Sequence, residues 1–556
     1  MTESANTPPV KESKAQRSER LKLEKNPWQA WDEVRRFAAE GRASVLPEWA
    51  SLYFKWWGIY TQGDGAGVTG GKGGEGVTTD YFMMRIAVPN GILSARQLRT
   101  VAQLTVDHAQ DLADITTRQA IQLHWLTIDS LPKVVDAIEA VGLSPRGACG
   151  DVVRNVTGCP LAGLDRQELV DASPLARTLA AELNGNSGFY NLPRKFKITV
   201  SGCPIWCSYP EINDASITAV RRGAGADAEI GYSVRVGGGL SKEPHLAVKL
   251  DAFLREEEVL PVVRGIAELF RRQQGLRQSR DRARLKYLFL AEEWTAERFL
   301  TELEAILGYK LAPGVADEVP DDVFRDHSGV HPQRQPGLYS VGVSVLNGRL
   351  SGQTLLALAD LVEAHAGGEL RTTVNQNFVI PGVAEANLPR VLERLQALGL
   401  FVEANNFWRG TVACTGTEFC KLAITETKGF ARWLAEEMDA RLPGFDQQLK
   451  LHVTGCPNNC GQAWIGDIGL EGKKIKHDGR MVDAWYFALG GALGQHAGFA
   501  RQVNYRCRSE AVPDALEHLF RVYLDQRQPE QNLRAWFAAH STEELRAILD
   551  AAPIPA

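Results

Sequence analysis

No apolar run in the 556 residues approaches the roughly 20 needed to cross a bilayer as a helix. The first 25 or so residues mix Lys11, Glu12, Lys14, Arg17, Glu19 and Arg20 with no apolar centre, unlike a secretory signal. Their acidic members also count against a transit peptide, so they read as the mobile tail of a cytoplasmic protein. Cysteine is sparse. Nine in so long a chain cannot form a disulfide scaffold, and their clustering suits a reducing compartment and metal binding. Positive charge is not in excess either: a formal charge of -5 argues against a general nucleic-acid binder. Nor does a nucleotide fingerprint survive its context. Gly65-Ala66-Gly67-Val68-Thr69-Gly70 matches the dinucleotide pattern, but more glycine follows where a helix should begin. Lys72 is followed by Gly73, not by the Ser or Thr of a phosphate loop. Residues 63–76 are therefore expected to be a flexible loop, and no flavin or nicotinamide module is expected.

What is present centres on four cysteines. Five residues separate Cys414 from Cys420, and three separate Cys456 from Cys460 in Thr454-Gly455-Cys456-Pro457-Asn458-Asn459-Cys460. Four thiolates from two turns can hold one zinc ion or a four-iron cluster. Structural zinc pairs usually stand about two to four residues apart, so the wider first loop favours iron–sulfur.

The chain is long enough for three or so domains, and it repeats itself. A strand over 81–88, an Asn90-Gly91 turn, a helix capped by Ser94 and a strand after Thr116-Thr117-Arg118-Gln119 form one plan. The second copy has a strand over 339–345, Asn347-Gly348, Ser351 and Thr373-Val374-Asn375-Gln376. Asn90/Asn347 and Gln119/Gln376 share an offset of 257. Ser201-Gly202-Cys203-Pro204-Ile205-Trp206-Cys207 likewise mirrors the second cysteine pair, and Gly237-Gly238-Gly239 mirrors Gly490-Gly491-Ala492, both at an offset of 253. Two related halves follow, each a small strand-helix module and a larger α/β module, with a ligand expected on the pseudo-twofold seam. Residues 246–257, 260–274 and 295–307 have helical apolar spacing, with Thr295 a cap. Trp28, Trp31, Trp49, Trp56 and Trp57 are expected to anchor an N-terminal arm. The basic run Arg271, Arg272, Arg277, Arg280, Arg282, Arg284 and Lys286 reads as a solvated helix face or a docking patch for an acidic protein. Lys195 and Lys197 alternate along an expected strand and so share a face, which calls for an anionic substrate or a polycarboxylate cofactor between them.

Cys-x5-Cys then Cys-x3-Cys, in a chain duplicated this way, resembles the sirohaem-dependent nitrite and sulfite reductases, from about Tyr81 to about Arg521. The resemblance implies an α+β chain with two ferredoxin-like modules and two larger α/β modules that bind sirohaem and cluster, on a pseudo-twofold axis. The expected boundaries are a tail over 1–27, an arm and loop over 28–80, ferredoxin-like halves over 81–145 and 331–403, and α/β domains over 146–330 and 404–556. By the same resemblance Cys414, Cys420, Cys456 and Cys460 hold a [4Fe-4S] cluster, and Cys460 also bridges to the sirohaem iron. Arg85, Arg154, Lys195 and Lys197 surround a small anionic substrate; Arg118, Arg194, Gly238, Gly239, Asn375 and Gln376 contact sirohaem. A small acidic ferredoxin is the expected donor to a monomeric enzyme, with no membrane partner. Nitrite enzymes of the family tend to carry asparagine where Lys197 stands, so sulfite is the preferred substrate and nitrite the alternative. Cys203 and Cys207 depart from the family pattern and read as small packing residues; a metal there would need two more ligands, which the sequence does not nominate. Cys149, Cys159 and Cys507 read as structural, and His124 as a hydrogen-bonded packing residue. A zinc-stabilised binding protein and a precorrin-modifying oxygenase are the rival classes.

Overall fold

The computed structural model describes residues 12–62, 80–318 and 326–553. The glycine-rich loop expected over 63–76 and residues 1–11 of the tail lie outside them. Among the described residues no helix is long and apolar enough to cross a membrane.

Four five-stranded sheets occur in two matched pairs. In the first small module Phe82–Ile86 pairs antiparallel with Ile121–Leu126, which pairs antiparallel with Ala113–Ile115. The turn that follows Phe82–Ile86 needs a left-handed Asn90 (φ 53°), and Asn347 repeats it at φ 50°. Asparagine tolerates that region better than most residues. Helix Ala95–His108 then starts on a reciprocal cap: Ser94 Oγ accepts from Gln97 N–H, and Gln97 Oε1 from Ser94 N–H. Leu338–Val343, Phe378–Ala384, Glu369–Thr372 and the Ser351-capped helix Gly352–His365 repeat the plan.

Each small module completes the other's sheet. Arg349–Leu350 pairs with Asp114 and Ala113 of the first, and Ile92–Ser94 pairs with residues 369–371 of the second. The two helices pack together, Arg99 reaching Asp360 and Glu363, and one hydrophobic core runs through both modules. Gln119 and Gln376 close the seam reciprocally. Gln119 Nε2 donates to Thr372 O at 2.8 Å and Gln376 Nε2 to Ile115 O at 3.0 Å. Their amide oxygens accept from Gly158 and Ala413 N–H, each at 2.9 Å.

The larger modules have cores of their own and a common strand plan. Thr157–Gly158, Ile198–Ser201 and Ala215–Arg222 run parallel, followed by antiparallel Glu229–Val236 and Val248–Leu254. Thr411–Ala413, Leu451–Thr454, Ile468–His477, Arg480–Leu489 and Arg501–Arg508 do the same. Each Cys-x3-Cys follows the second strand of its module.

Three expectations are corrected here. Residues 246–255 are not helical; they hold the strand Val248–Leu254, with Leu250, Ala252 and Leu254 buried in alternation, and the helix starts only at Glu256. Phe253, also buried, disguised that period of two as three and four. The tail is ordered from Ser13, which caps helix Lys14–Glu24. Lys22 is buried beside Glu19 and Asp151 and donates to Leu192 O at 2.9 Å, while the Tyr53 hydroxyl donates to Leu21 O. The basic run divides: Arg271, Arg272 and Arg282 stay exposed, whereas Arg277 turns inward to Glu19 and Asn191, Arg280 to Asp151 and Arg284 to Asp214. The tryptophans anchor the arm as expected, Trp28 and Trp56 donating to Trp56 O and Tyr190 O, both at 2.8 Å.

Asp151 is the buried hub of these contacts. Burial alone would raise its pKa, but Arg280, Lys22 and Arg194 hold the carboxyl well below the usual range. Its charge therefore stabilises the fold above the unfolded carboxylate pKa of about 3.9, and that contribution is lost as the pH falls below it. Asp151→Ala takes the carboxylate from half-buried Arg280 and leaves buried Lys22 with Glu19 alone, and a cost of about 3–5 kcal/mol is expected. A lowered urea midpoint and proteolytic release of residues 12–25 are the readouts; an unchanged midpoint would show that other groups neutralise both cations.

Candidate active site

Two parallel neighbours bring the cysteine pairs together. Thr411–Ala413 runs into Cys414, and Leu451–Thr454 ends two residues before Cys456, so both turns leave the sheet at one edge. Gly455 N–H donates to Cys414 Sγ at 3.2 Å. Both turns need glycine: a Cβ on Gly416 (φ 67°) would stand 2.4 Å from Thr427 Oγ1, and one on Gly461 2.1 Å from Val453 O. Burial raises the thiols of Cys414, Cys420 (to about 12) and Cys456, and Cys460 raises all three further. That mutual influence groups four sulfurs around one centre. Yet no three of them lie within 4.8 Å of one another. Thiolates on a single zinc, with bonds of about 2.3 Å, would stand about 3.8 Å apart. The centre is too open for one ion and has room for a multi-iron cluster. Cys460 alone of the four is exposed.

Beside it stands a group of cations. Lys195 and Lys197 flank buried Phe196, which bridges to Val153, so both ammonium groups point the other way. Neither has an ion-pair or hydrogen-bond partner among the described residues. Burial, with Arg284, Arg194 and Arg154 nearby, lowers Lys195 to about 7 against the pull of Cys460. Burial and then Lys195 push Lys197 well below its ordinary value. Arg85 donates to Gln122 Oε1 at 2.5 Å and to Cys149 Sγ at 3.2 Å. Burial opposes its charge, but Cys149, Tyr60, Cys460 and Cys420 raise its pKa, which places it against the thiol centre. Arg154 donates to Gly150 O and Ala148 O. Arg118 donates to Asn213 Oδ1, Asn155 O and Ile198 O; its Nε is buried without a partner, and burial followed by Arg154 pulls it to about 9. Arg194 leans on Asp151 at 3.4 Å. The nearby carboxylate of Asp214 is already held by Arg284. So dense a set of cations repels itself until anions enter.

The other expected residues make contacts within the protein. Gly238 and Gly239 do not offer free amides: their N–H groups donate to Asn213 O and His245 O, each at 2.8 Å. Gly238 is glycine because a Cβ would lie 2.5 Å from Glu211 O. Gln376 commits both ends of its amide to the seam between the halves, and Asn375 Oδ1 accepts from the Tyr209 hydroxyl at 2.6 Å. His124 packs: its Nε2 meets Asp114 at 3.1 Å and its ring stacks on Phe419 at 4.1 Å. Asp114 also pairs with Arg349, which reaches Glu418, so this buried network fixes the Cys414–Cys420 turn. Gln122 and Arg284 shape the site without having been singled out for it; each is recognisable only through its partner in space.

Two stretches, 149–311 and 404–552, match the model of the nitrite and sulphite reductase 4Fe-4S domain, and two others, 75–141 and 331–398, match that of the nitrite/sulfite reductase ferredoxin-like half domain. The chain belongs to the nitrite and sulfite reductase family. Family members similar to it carry both names. The assimilatory ferredoxin-dependent nitrite reductase of Haloferax mediterranei is 37% identical, over 92% of this chain and 89% of its own. A sulfite reductase [ferredoxin] of Mycolicibacterium paratuberculosis is 36% identical over 89% of both. The solved NirA protein of Mycobacterium tuberculosis superposes with a TM-score of 0.90 at 34% identity, covering 95% of this chain and 97% of that one. The family's prosthetic groups are a [4Fe-4S] cluster and sirohaem. The residues present fit both. The open four-thiol centre suits the cluster, and unpartnered ammonium groups beside exposed Cys460 suit a macrocycle that bears carboxylates and a bound anion.

Proposed function

We propose that the chain reduces sulfite to sulfide, a six-electron reaction, with a ferredoxin as donor. The observation that carries the choice of substrate is the second unpartnered ammonium, Lys197, beside Lys195. Sulfite is in part dianionic near neutral pH, whereas nitrite carries one charge, and an added cation favours the former. In this reading Cys414, Cys420, Cys456 and Cys460 would hold the cluster, with the exposed Cys460 on the side that would face the sirohaem. Together the two groups supply the electrons. Arg118 and Arg194 meet carboxylates of the macrocycle, while Arg85, Arg154, Lys195 and Lys197 hold the oxyanion. Lys195, with its pKa near 7, is suited to donate and regain a proton as S–O bonds break. The donor assignment rests on relatives named as ferredoxin-dependent.

Nitrite is the second reading, favoured by the name of the Haloferax relative. Lys197→Asn separates the two. A charge-assisted contact of about 1.5–3 kcal/mol predicts that the ratio of kcat/KM for sulfite to that for nitrite falls about 10–100-fold. Steady-state rates with a reduced viologen measure it, and an unchanged ratio would remove the basis for preferring sulfite.

A further inference from the structure

A second cysteine group lies in the first large module, at the position that the duplication assigns to the cluster in the second. Thr157 pairs with Thr199 and Gly158 with Val200, as Val412 pairs with His452 and Ala413 with Val453. Gln119 and Gln376 match Gly158 to Ala413 independently, since each accepts from that N–H. Cys159 therefore stands where Cys414 stands, and Cys207 where Cys460 stands. The two sites nevertheless differ in scale. Sγ of Cys159 and Cys207 are 3.2 Å apart, and a ring nitrogen of His327 lies within 4.8 Å of both. Thiolates of a four-iron cluster cannot approach so closely, but those on one tetrahedral ion stand about 3.8 Å apart.

His327 is the residue that gives this group a purpose beyond packing. It is 4% exposed, and neither ring nitrogen has a hydrogen-bond partner. A buried polar atom left in that state costs about 1–3 kcal/mol unless its lone pair meets an acceptor of electrons. Its backbone is left-handed (φ 65°), an unusual conformation for histidine, and it is held against Gly342, where a Cβ would come within 1.6 Å of His327 O. Such strain persists only where the surroundings impose it. Arg371 clamps the loop after Cys159 by donating to Pro160 O and Ala162 O at 3.2 and 2.7 Å. Leu161, Ala162 and Val379 line the rest of the pocket.

We propose that Cys159, Cys207 and His327 bind one zinc ion, with a solvent molecule in the fourth position. Two thiolates cancel the charge of the ion, so the buried unit is neutral, and sulfur with imidazole is a set that zinc favours. Zinc has no redox chemistry and takes no part in electron transfer. It ties the first large module to the segment that leads into Gly329–Pro332, the edge strand of the second small module.

The test is metal analysis of the holoenzyme purified without chelator. About one zinc per chain is expected beside the iron, and the zinc-edge absorption spectrum should fit two sulfurs at about 2.3 Å and a nitrogen at about 2.0 Å. Cys207→Ser and His327→Gln should each lose the zinc and leave the iron content and visible bands unchanged. Wild-type protein that stays zinc-free after addition of zinc overturns the proposal. So does a zinc-edge spectrum with light atoms alone, or a Cys159–Cys207 disulfide found by mass analysis. Should either variant fail to accumulate, the wild-type spectrum still decides the matter.

Discussion

Cys460→Ser is expected to reduce turnover of both sulfite and nitrite by about 10³-fold or more, beyond the 10–100-fold typical of losing an outer partner of a metal site. The reason is position, not packing. Cys460 is the exposed member of the four-thiol centre and the one that raises the pKa of all three others. Its side chain adds nothing to a core, so in protein freed of its prosthetic groups a serine there should leave the melting temperature nearly unchanged, as surface substitutions do within about 0.5 kcal/mol. A hydroxyl does not ionise as a thiol does, so a metal ligand proposed at this position would be lost while the fold remains. Viologen-driven turnover, iron content and thermal melting measure the three parts separately. Turnover above about a tenth of wild type would be enough to dismiss Cys460 as the link. Cys507→Ser, on the strand Arg501–Arg508 away from the centre, is the control that should retain turnover.

Lys195→Met is the second large effect. Removing one preorganised donor to an oxyanion costs about 10²–10³ in rate, and Lys195 has no protein partner to take up part of that role. The pH profile carries the sharper signature. Burial first, and then Arg284, brings Lys195 down to about 7. The anion needs the charged form, so wild-type kcat/KM should fall as the pH rises above about 7, approaching tenfold per unit. That limb should be absent in Lys195→Met. Stability has the opposite sign. A lysine whose folded pKa is depressed opposes folding below that pKa, and the penalty disappears between about 7 and the unfolded value of about 10.4. The variant freed of its prosthetic groups should therefore melt above the wild type at pH 7. A variant that keeps the wild-type pH limb would remove Lys195 from the anion site.

The repeat was legible because its marks are local: Asn-Gly turns, Ser caps and paired cysteines recur at fixed offsets, and each has one physical meaning. The small modules and their seam follow from those marks. What stayed hidden depends on contacts between distant parts of the chain. Arg277 and Arg280 looked like surface charge because Glu19 and Asp151 lie 258 and 129 residues away. Gln376 carried no sign of its place in the seam because its partners, Ile115 and Ala413, belong to other modules. The strand Val248–Leu254 passed for a helix since Phe253 is buried out of step with its neighbours. Cys159 and His327 carry no local sign of each other at all, and only the folded chain sets them beside Cys207.

The exchange of edge strands between the small modules has an evolutionary consequence. With Arg349–Leu350 finishing one sheet and Ile92–Ser94 the other, a half-length ancestor could have closed its sheet only by borrowing a strand from a second copy. Such an ancestor would have been an obligate homodimer, and gene fusion made its two subunits one polypeptide. The small modules of the present halves, expressed apart, should remain unfolded and regain structure only on mixing, which the exchange of backbone amide hydrogens would show.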